Sequence, residues 1–287
     1  MTIDEIVKNK VELANIKKLA IKHCDSVSNR PLKESADIAK SIEIPNEDDK
    51  SLQKVIANTY YWLDSHEDVH VKGTFTKSIQ ENKRKIYHLD NHDSKNGYRS
   101  KVGNVKDIQE VEVRWRDLGI NKNGKTICVI GVTELNEDYN KQVFDAYENG
   151  EIDQHSVGMV YLDMVLAVND KNYPEEYKNW NDVYPLLGNP EEADSLGYFW
   201  IQKQAKLKEF SCVLWDGSNS LTPAIKNENM QMCDTCKTDT PNLVVDSGAI
   251  ICKVCGTKKA EKSLLEQEPA EATQKTELEK FYLNIKV

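Results

Sequence analysis

The sequence predicts an α+β protein whose core is mainly antiparallel β-sheet with flanking helices. In one segment apolar and charged residues alternate, as in a half-buried strand: Val111, Val113 and Trp115 against Glu112, Arg114 and Arg116. Asn123-Gly124 separates this segment from the next strand candidate, and this dipeptide is typical of a β-hairpin turn. A third segment, 137–150, carries apolar residues on one helical face and ends in glycine.

Residues 1–54 form the first predicted segment. Apolar residues recur at helical spacing from Ile3 to Leu19 among lysines, which predicts an amphipathic helix. This helix either docks on its own domain or contacts a partner protein. The polar stretch that follows contains Pro31 and Pro45 and is interpreted as a linker or a second short helix.

Residues 55–226 form the predicted main domain. Strands are expected at 55–65, 85–90, 99–108, 111–120, 126–135, 152–168 and 198–215. A turn is expected at 66–72, a short helix at 73–82 and a second helix ending at Gly150. The polar stretch 169–196 is interpreted as an inserted loop or a helical excursion.

Composition limits the classes of protein that fit. The 287 residues carry a net charge of −9, which disfavours binding of nucleic acid by the protein as a whole and leaves a local basic patch open. No apolar run approaches the roughly 20 residues that cross a bilayer, and the N-terminus lacks the apolar core of a signal peptide. We therefore expect a cytoplasmic protein with no membrane partner.

Four of the seven cysteines form two CxxC pairs separated by fifteen residues: Cys233, Cys236, Cys252 and Cys255. Two such pairs at this separation are typical of a tetrahedral structural Zn²⁺ site. The segment between them predicts a β-hairpin, so residues 227–259 are interpreted as a zinc ribbon. Four thiolates leave no open position on the metal, which disfavours zinc catalysis. The last segment, 260–287, is predicted to be a polar tail ending in a short helix.

Two motifs supply candidate catalytic residues. His92 follows a strand candidate in a loop with Asp90, Asn91 and Asp93, and Ser156 lies in another strand candidate, 152–168. A serine hydroxyl needs a neighbouring base to take its proton, most often a histidine held by a third polar group. Cys128 and Cys212 lie inside apolar strands, so a Cys–His enzyme is the weaker interpretation.

The order of segments resembles the prohead maturation protease family of tailed bacteriophages, which is distantly related to the herpesvirus assemblins. The resemblance covers about residues 55–226 and rests on five segments in the family's order: 64–79, Asn91-His92-Asp93, the strand at Gly103, Ser156-Val157-Gly158, and Leu207, Glu209, Phe210 and Ser211.

The resemblance implies a barrel-like core and a serine endopeptidase that cleaves scaffold and major capsid proteins inside the assembling procapsid, followed by self-cleavage. Ser156 would be the nucleophile, His92 the general base and Glu209 the group that orients His92, with Asp93 and Asp163 as alternatives for the third role. Assemblins use a second histidine, but His155 adjoins Ser156 and is expected on the opposite face of the strand.

The resemblance places the protein in the host cytoplasm, in the procapsid or the virion, and is compatible with an oligomer. The alternative is a non-enzymatic virion or assembly protein that keeps the protease fold. In either case the zinc ribbon is a folded tail module or an adaptor for scaffold, portal or capsid protein, and nucleic acid is a less favoured partner.

Overall fold

The computed structural model describes residues 1–19, 52–215, 217–222 and 224–225, together with the backbone of four short strands between 230 and 259. The chain divides into two compact units, Met1–Asn227 and Glu228–Val287. The predictions for 20–51 and 260–287 lie outside the described residues. None of the described helices has the length and apolar character that crossing a membrane requires.

The first unit is α+β, as predicted. Its helices are α1 (Ile3–Lys8), α2 (Lys10–Leu19), α3 (Thr76–Asn82), α4 (Lys141–Glu148), α5 (Pro174–Val183) and α6 (Pro190–Leu196). Its strands are β1 (Leu52–Thr59), β2 (Asp68–His70), β3 (Tyr87–Asp90), β4 (Gly103–Arg114), β5 (Lys125–Leu135), β6 (His155–Val168), β7 (Tyr198–Cys212) and β8 (Ala224–Ile225).

Two sheets enclose the main core. One is antiparallel with the order β4-β5-β1-β8; in the other, β2 and β3 lie parallel to β7, and β6 pairs with β7 antiparallel. Val55 and Val129 of the first sheet pack in one cluster with Leu207 and Phe210 of the second. The resemblance implied a barrel-like core, and the described strands form no closed barrel.

Two strand predictions were wrong in detail. Residues 103–114 of the expected strands at 99–108 and 111–120 form one strand, β4, with a bulge at Lys106. Gly97–Ser100 and Trp115–Leu118 are short 3₁₀ helices, so the expected strand alternation ends before Trp115. Gln109 and Glu110, two consecutive polar residues within β4, interrupt the alternation of apolar and polar residues, so the sequence pattern resembled two strands. The expected turn at 66–72 contains β2, which is fully buried. Because its buried residues Asp68 and His70 are polar, the segment lacks the apolar pattern of a buried strand.

The N-terminal helices dock on the main domain. Ile6 of α1 is buried in the core, and Lys17 of α2 places its Nζ 2.8 Å from Oδ1 of the buried Asp68 and 2.5 Å from the carbonyl oxygen of His66. A buried carboxylate requires such partners because desolvation of an isolated charge is costly. The structure therefore shows docking within the chain for residues 3–19.

The second unit contains an antiparallel sheet whose described strands are β9 (Met230–Met232), β10 (Asp239–Val244), β11 (Ile250–Cys252) and β12 (Lys258–Lys259). Their order in the sheet is β12-β11-β10-β9. β10 pairs with β11, with Val244 opposite Ile250, so the predicted hairpin between the two CxxC pairs is present. The four cysteine side chains lie outside what the structure describes, and the zinc ribbon stays a prediction.

Candidate active site

The parallel pairing of β3 with β7 positions His92. Asp90 at the end of β3 lies opposite Cys212, and the next amide, that of Asn91, donates to the carbonyl oxygen of Cys212 at 2.9 Å. Asn91 and His92 then adopt φ values of 47° and 57°. This left-handed conformation is uncommon for residues other than glycine and costs of order 1–3 kcal/mol per residue, so surrounding contacts must hold it. It turns the chain back over β7.

Glu209 of β7 contacts the imidazole directly. His92 Nδ1 lies 2.7 Å from Glu209 Oε1, and both side chains are largely buried. The carboxylate accepts, so Nδ1 carries the proton and Nε2 becomes the nitrogen that can take another. This is the relationship between an orienting carboxylate and a general base in serine hydrolases.

Ser211 holds the other side of this pair. Its hydroxyl donates to Glu209 Oε2 at 2.6 Å and accepts from the backbone N–H of His92 at 3.1 Å. Both oxygens of Glu209 are thereby bonded, which fixes the orientation of the carboxylate. In the sequence, Ser211 was recognised only as part of the resemblance. Its position two residues from Glu209 on a strand is the signal that the two side chains share one face.

Ser156 lies on the same face of the strand pair. β6 and β7 place Ser156 directly opposite Ser211 and Gly158 opposite Glu209. Residues directly opposite each other in an antiparallel pair point to one face, with Cβ atoms about 4.5–5.5 Å apart. The structure therefore brings His92 and Glu209 into contact. Ser156 lies on the same face, opposite Ser211, in the residue pair two positions along from Gly158 and Glu209.

Two glycines make room for this arrangement. A Cβ on Gly158 would lie 1.8 Å from Glu209 Oε1, so the carboxylate occupies the space that a side chain would fill. A Cβ on Gly217 would lie 2.8 Å from Ser156 Cβ and 2.6 Å from the carbonyl oxygen of His155. The backbone at Gly217 thus packs directly against the candidate nucleophile.

Ser211 and Ser156 differ in their hydrogen bonds and in their exposure to solvent. Ser211 is fully buried and donates a hydrogen bond to Glu209, whereas the Ser156 residue is 7% exposed. A hydroxyl already bonded to a carboxylate and to a backbone amide serves a structural role. Ser156 is therefore the better candidate for the nucleophile.

The alternatives for the third role lie elsewhere. Asp93 Oδ1 accepts from the backbone amides of Lys95 and Asn96, and Asp163 is an exposed residue of β6 opposite Gln204. His155 is fully buried on the opposite face, as expected, where its Nε2 lies 2.7 Å from the hydroxyl of Tyr147.

The buried cysteines are unsuited to nucleophilic chemistry. Burial raises the pKa of Cys128 and of Cys212 to about 12. The thiolate is the reactive form, and at neutral pH neither residue forms it to a useful extent. These two thiols belong to the core, as the sequence predicted.

Comparisons with protein-family models, curated proteins and solved structures found no match to this chain.

Proposed function

We propose that the protein is a serine endopeptidase in which Ser156 is the nucleophile, His92 the general base and Glu209 the group that orients His92. The observation that carries the proposal is the 2.7 Å contact between His92 Nδ1 and Glu209 Oε1, on the strand-pair face that also holds Ser156.

The chemistry follows from these roles. Ser156 Oγ attacks the peptide carbonyl while its proton passes to His92 Nε2, and Glu209 stabilises the imidazolium that results. The imidazolium then gives the proton to the departing amine, leaving an acyl group on Ser156. His92 next takes a proton from water, whose oxygen attacks the ester and releases the acid, and the proton returns to Ser156.

The substrate class comes from the family resemblance. We propose that the enzyme processes scaffold and major capsid proteins in an assembling bacteriophage procapsid in the host cytoplasm and then cleaves itself. The five motif segments in family order support this, with Ser156, His92 and Glu209 at the matching positions.

We also propose that Cys233, Cys236, Cys252 and Cys255 bind one structural Zn²⁺ and that the resulting ribbon is an adaptor for a capsid-assembly protein. The spacing of the cysteines and the antiparallel pairing of β10 with β11 support the metal site. Elemental analysis of the full chain tests it: one zinc per chain is expected, and it should be lost on Cys233→Ser. A zinc-free wild type, prepared with zinc present, would refute it.

The proteolytic function is tested on the full chain with a library of unstructured peptides of mixed sequence. Wild type, Ser156→Ala and Ser78→Ala are compared by mass spectrometry of both the peptides and the chain itself. Ser78 is a suitable control because it is also buried and bonds to β7, at the backbone N–H of Leu207. Fragments from the wild type and from Ser78→Ala, but not from Ser156→Ala, are expected. Fragments from all three forms would exclude Ser156, and fragments from none would favour the non-enzymatic assembly protein.

A further inference from the structure

A buried chain of hydrogen bonds lies behind the candidate site, on the other face of β6 and β7. His88 Nδ1 lies 3.0 Å from Thr133 Oγ1, and His88 Nε2 lies 3.1 Å from the hydroxyl of Tyr147. The same hydroxyl lies 2.7 Å from His155 Nε2, and His155 Nδ1 lies 3.1 Å from the carbonyl oxygen of Thr222. Both histidines are completely buried.

The donor and acceptor properties of these groups fix the direction of every hydrogen bond in this network. The carbonyl of Thr222 only accepts, so His155 Nδ1 carries the proton and Nε2 accepts from the hydroxyl of Tyr147. The oxygen of Tyr147 then accepts from His88 Nε2, and His88 Nδ1 accepts from Thr133. Burial keeps both histidines neutral, lowering the pKa of His155 to about 4 and that of His88 well below its usual value.

The two histidines of this network lie close in sequence to the candidate catalytic residues. His88 is in β3, four residues before His92, and His155 immediately precedes Ser156. Thr222 Oγ1 donates to the carbonyl oxygen of His155 at 2.5 Å and accepts from its N–H at 3.3 Å. The residue before the nucleophile is thus held through both its backbone groups and its side chain.

We propose that Tyr147 is a positioning residue for the reaction: its hydroxyl, bonded to both His88 and His155, fixes the end of β3 that leads to His92 relative to the start of β6 that carries Ser156. This inference rests on the proposed function. Tyr147 belongs to neither strand, since it projects from α4, where it is buried. Removing the hydroxyl leaves two neutral histidines without their shared partner, and displacement of reacting groups by about 1 Å can lower a rate roughly 100-fold.

The test compares Tyr147→Phe with Tyr161→Phe in the full chain. Tyr161 is a matched control because it lies in β6, is equally buried and donates its hydroxyl to Asp68 Oδ2 at 2.8 Å. We measure the second-order rate constant for modification of Ser156 by diisopropyl fluorophosphate and the free energy of unfolding in urea.

Both variants should lose similar stability, and Tyr147→Phe alone should slow modification, by about 10- to 100-fold. Equal rates in the two variants, both near that of the wild type, would overturn the inference and leave Tyr147 a purely structural residue. An unmodified wild type would instead refute the proposed function.

A second measurement tests the network without activity. Long-range ¹H–¹⁵N spectra of the histidine rings should show the Nδ1–H tautomer for His155 and the Nε2–H tautomer for His88. In Tyr147→Phe the His88 signals should shift, while Tyr161→Phe should leave them unchanged. The same tautomer at both histidines, or His88 signals that do not respond to Tyr147→Phe, would contradict the bridge.

Discussion

Nδ1 of His92 and Oε1 of Glu209 are 2.7 Å apart, although the two residues are separated by 117 positions in the chain. The contact exists because β3 runs parallel to β7, which sets Tyr87 opposite Glu209 and carries the following loop back over the strand. Ser211 joins the pair from the same face of β7.

Glu209→Gln should lower the turnover number by roughly 10²- to 10⁴-fold while leaving the free energy of unfolding nearly unchanged. The amide is isosteric, but it neither favours the required tautomer of His92 nor stabilises the imidazolium. Peptide-cleavage kinetics measure the effect. A turnover number within about twofold of the wild type would show that Glu209 does not act through His92.

Gly158→Ala should reduce turnover by displacing the carboxylate of Glu209, since the new Cβ would meet Oε1 at 1.8 Å. A double-mutant cycle isolates this cause. In a Glu209→Ala background the second change should cost no further activity, because the carboxylate it would displace is absent. If Gly158→Ala lowered turnover equally with and without Glu209→Ala, the cause would be a change in the backbone of β6.

Stability should fall as the pH drops from about 6.5 towards 4 because of His155. Burial lowers its pKa from 6.5 to about 4 in the folded protein, so between these values the unfolded chain binds the proton that the folded chain excludes. The loss between pH 6.5 and pH 5 should be about 2 kcal/mol from this residue.

Urea unfolding at several pH values measures this dependence, and the buried His88 adds to it in the same direction. His155→Gln should have a shallower profile than the wild type over this range. Identical slopes would show that His155 is not the group responsible.

Lys17→Met should destabilise the protein by about 2–4 kcal/mol, because Asp68 is fully buried and loses its cationic partner. Asp68 retains bonds from Tyr161 and Gln202, which limits the loss. Lys8→Met is the control, since Lys8 is exposed on α1, and should change stability by less than about 0.5 kcal/mol. Similar values for the two variants in urea unfolding would mean that the ion pair does not anchor α2.

The sequence predicted the long elements because their signals are local. β5, β6 and β7 follow from runs of branched and aromatic residues, and α4 follows from its apolar face and the glycine after it. β2 was missed because its polar residues are buried through partners distant in sequence, including Lys17 and Gln202. No local pattern contains that information.

The candidate site was predictable only in part. The resemblance supplied His92, Ser156 and Glu209, and alternation along β6 placed His155 on the other face, as the structure confirms. The contribution of Ser211 and the need for glycine at 158 depend on the register between β6 and β7. The sequence of either strand alone does not fix that register.

The most direct test of the proposed active site is to find which residue of the full chain diisopropyl fluorophosphate modifies. A serine activated by a base attacks the phosphorus, fluoride leaves, and the adduct is located by digestion and mass spectrometry. We predict a single adduct on Ser156, absent from Ser156→Ala and from His92→Ala and retained in Ser78→Ala. An adduct on Ser211, or no adduct on the wild type, would contradict the assignment of Ser156 as the nucleophile.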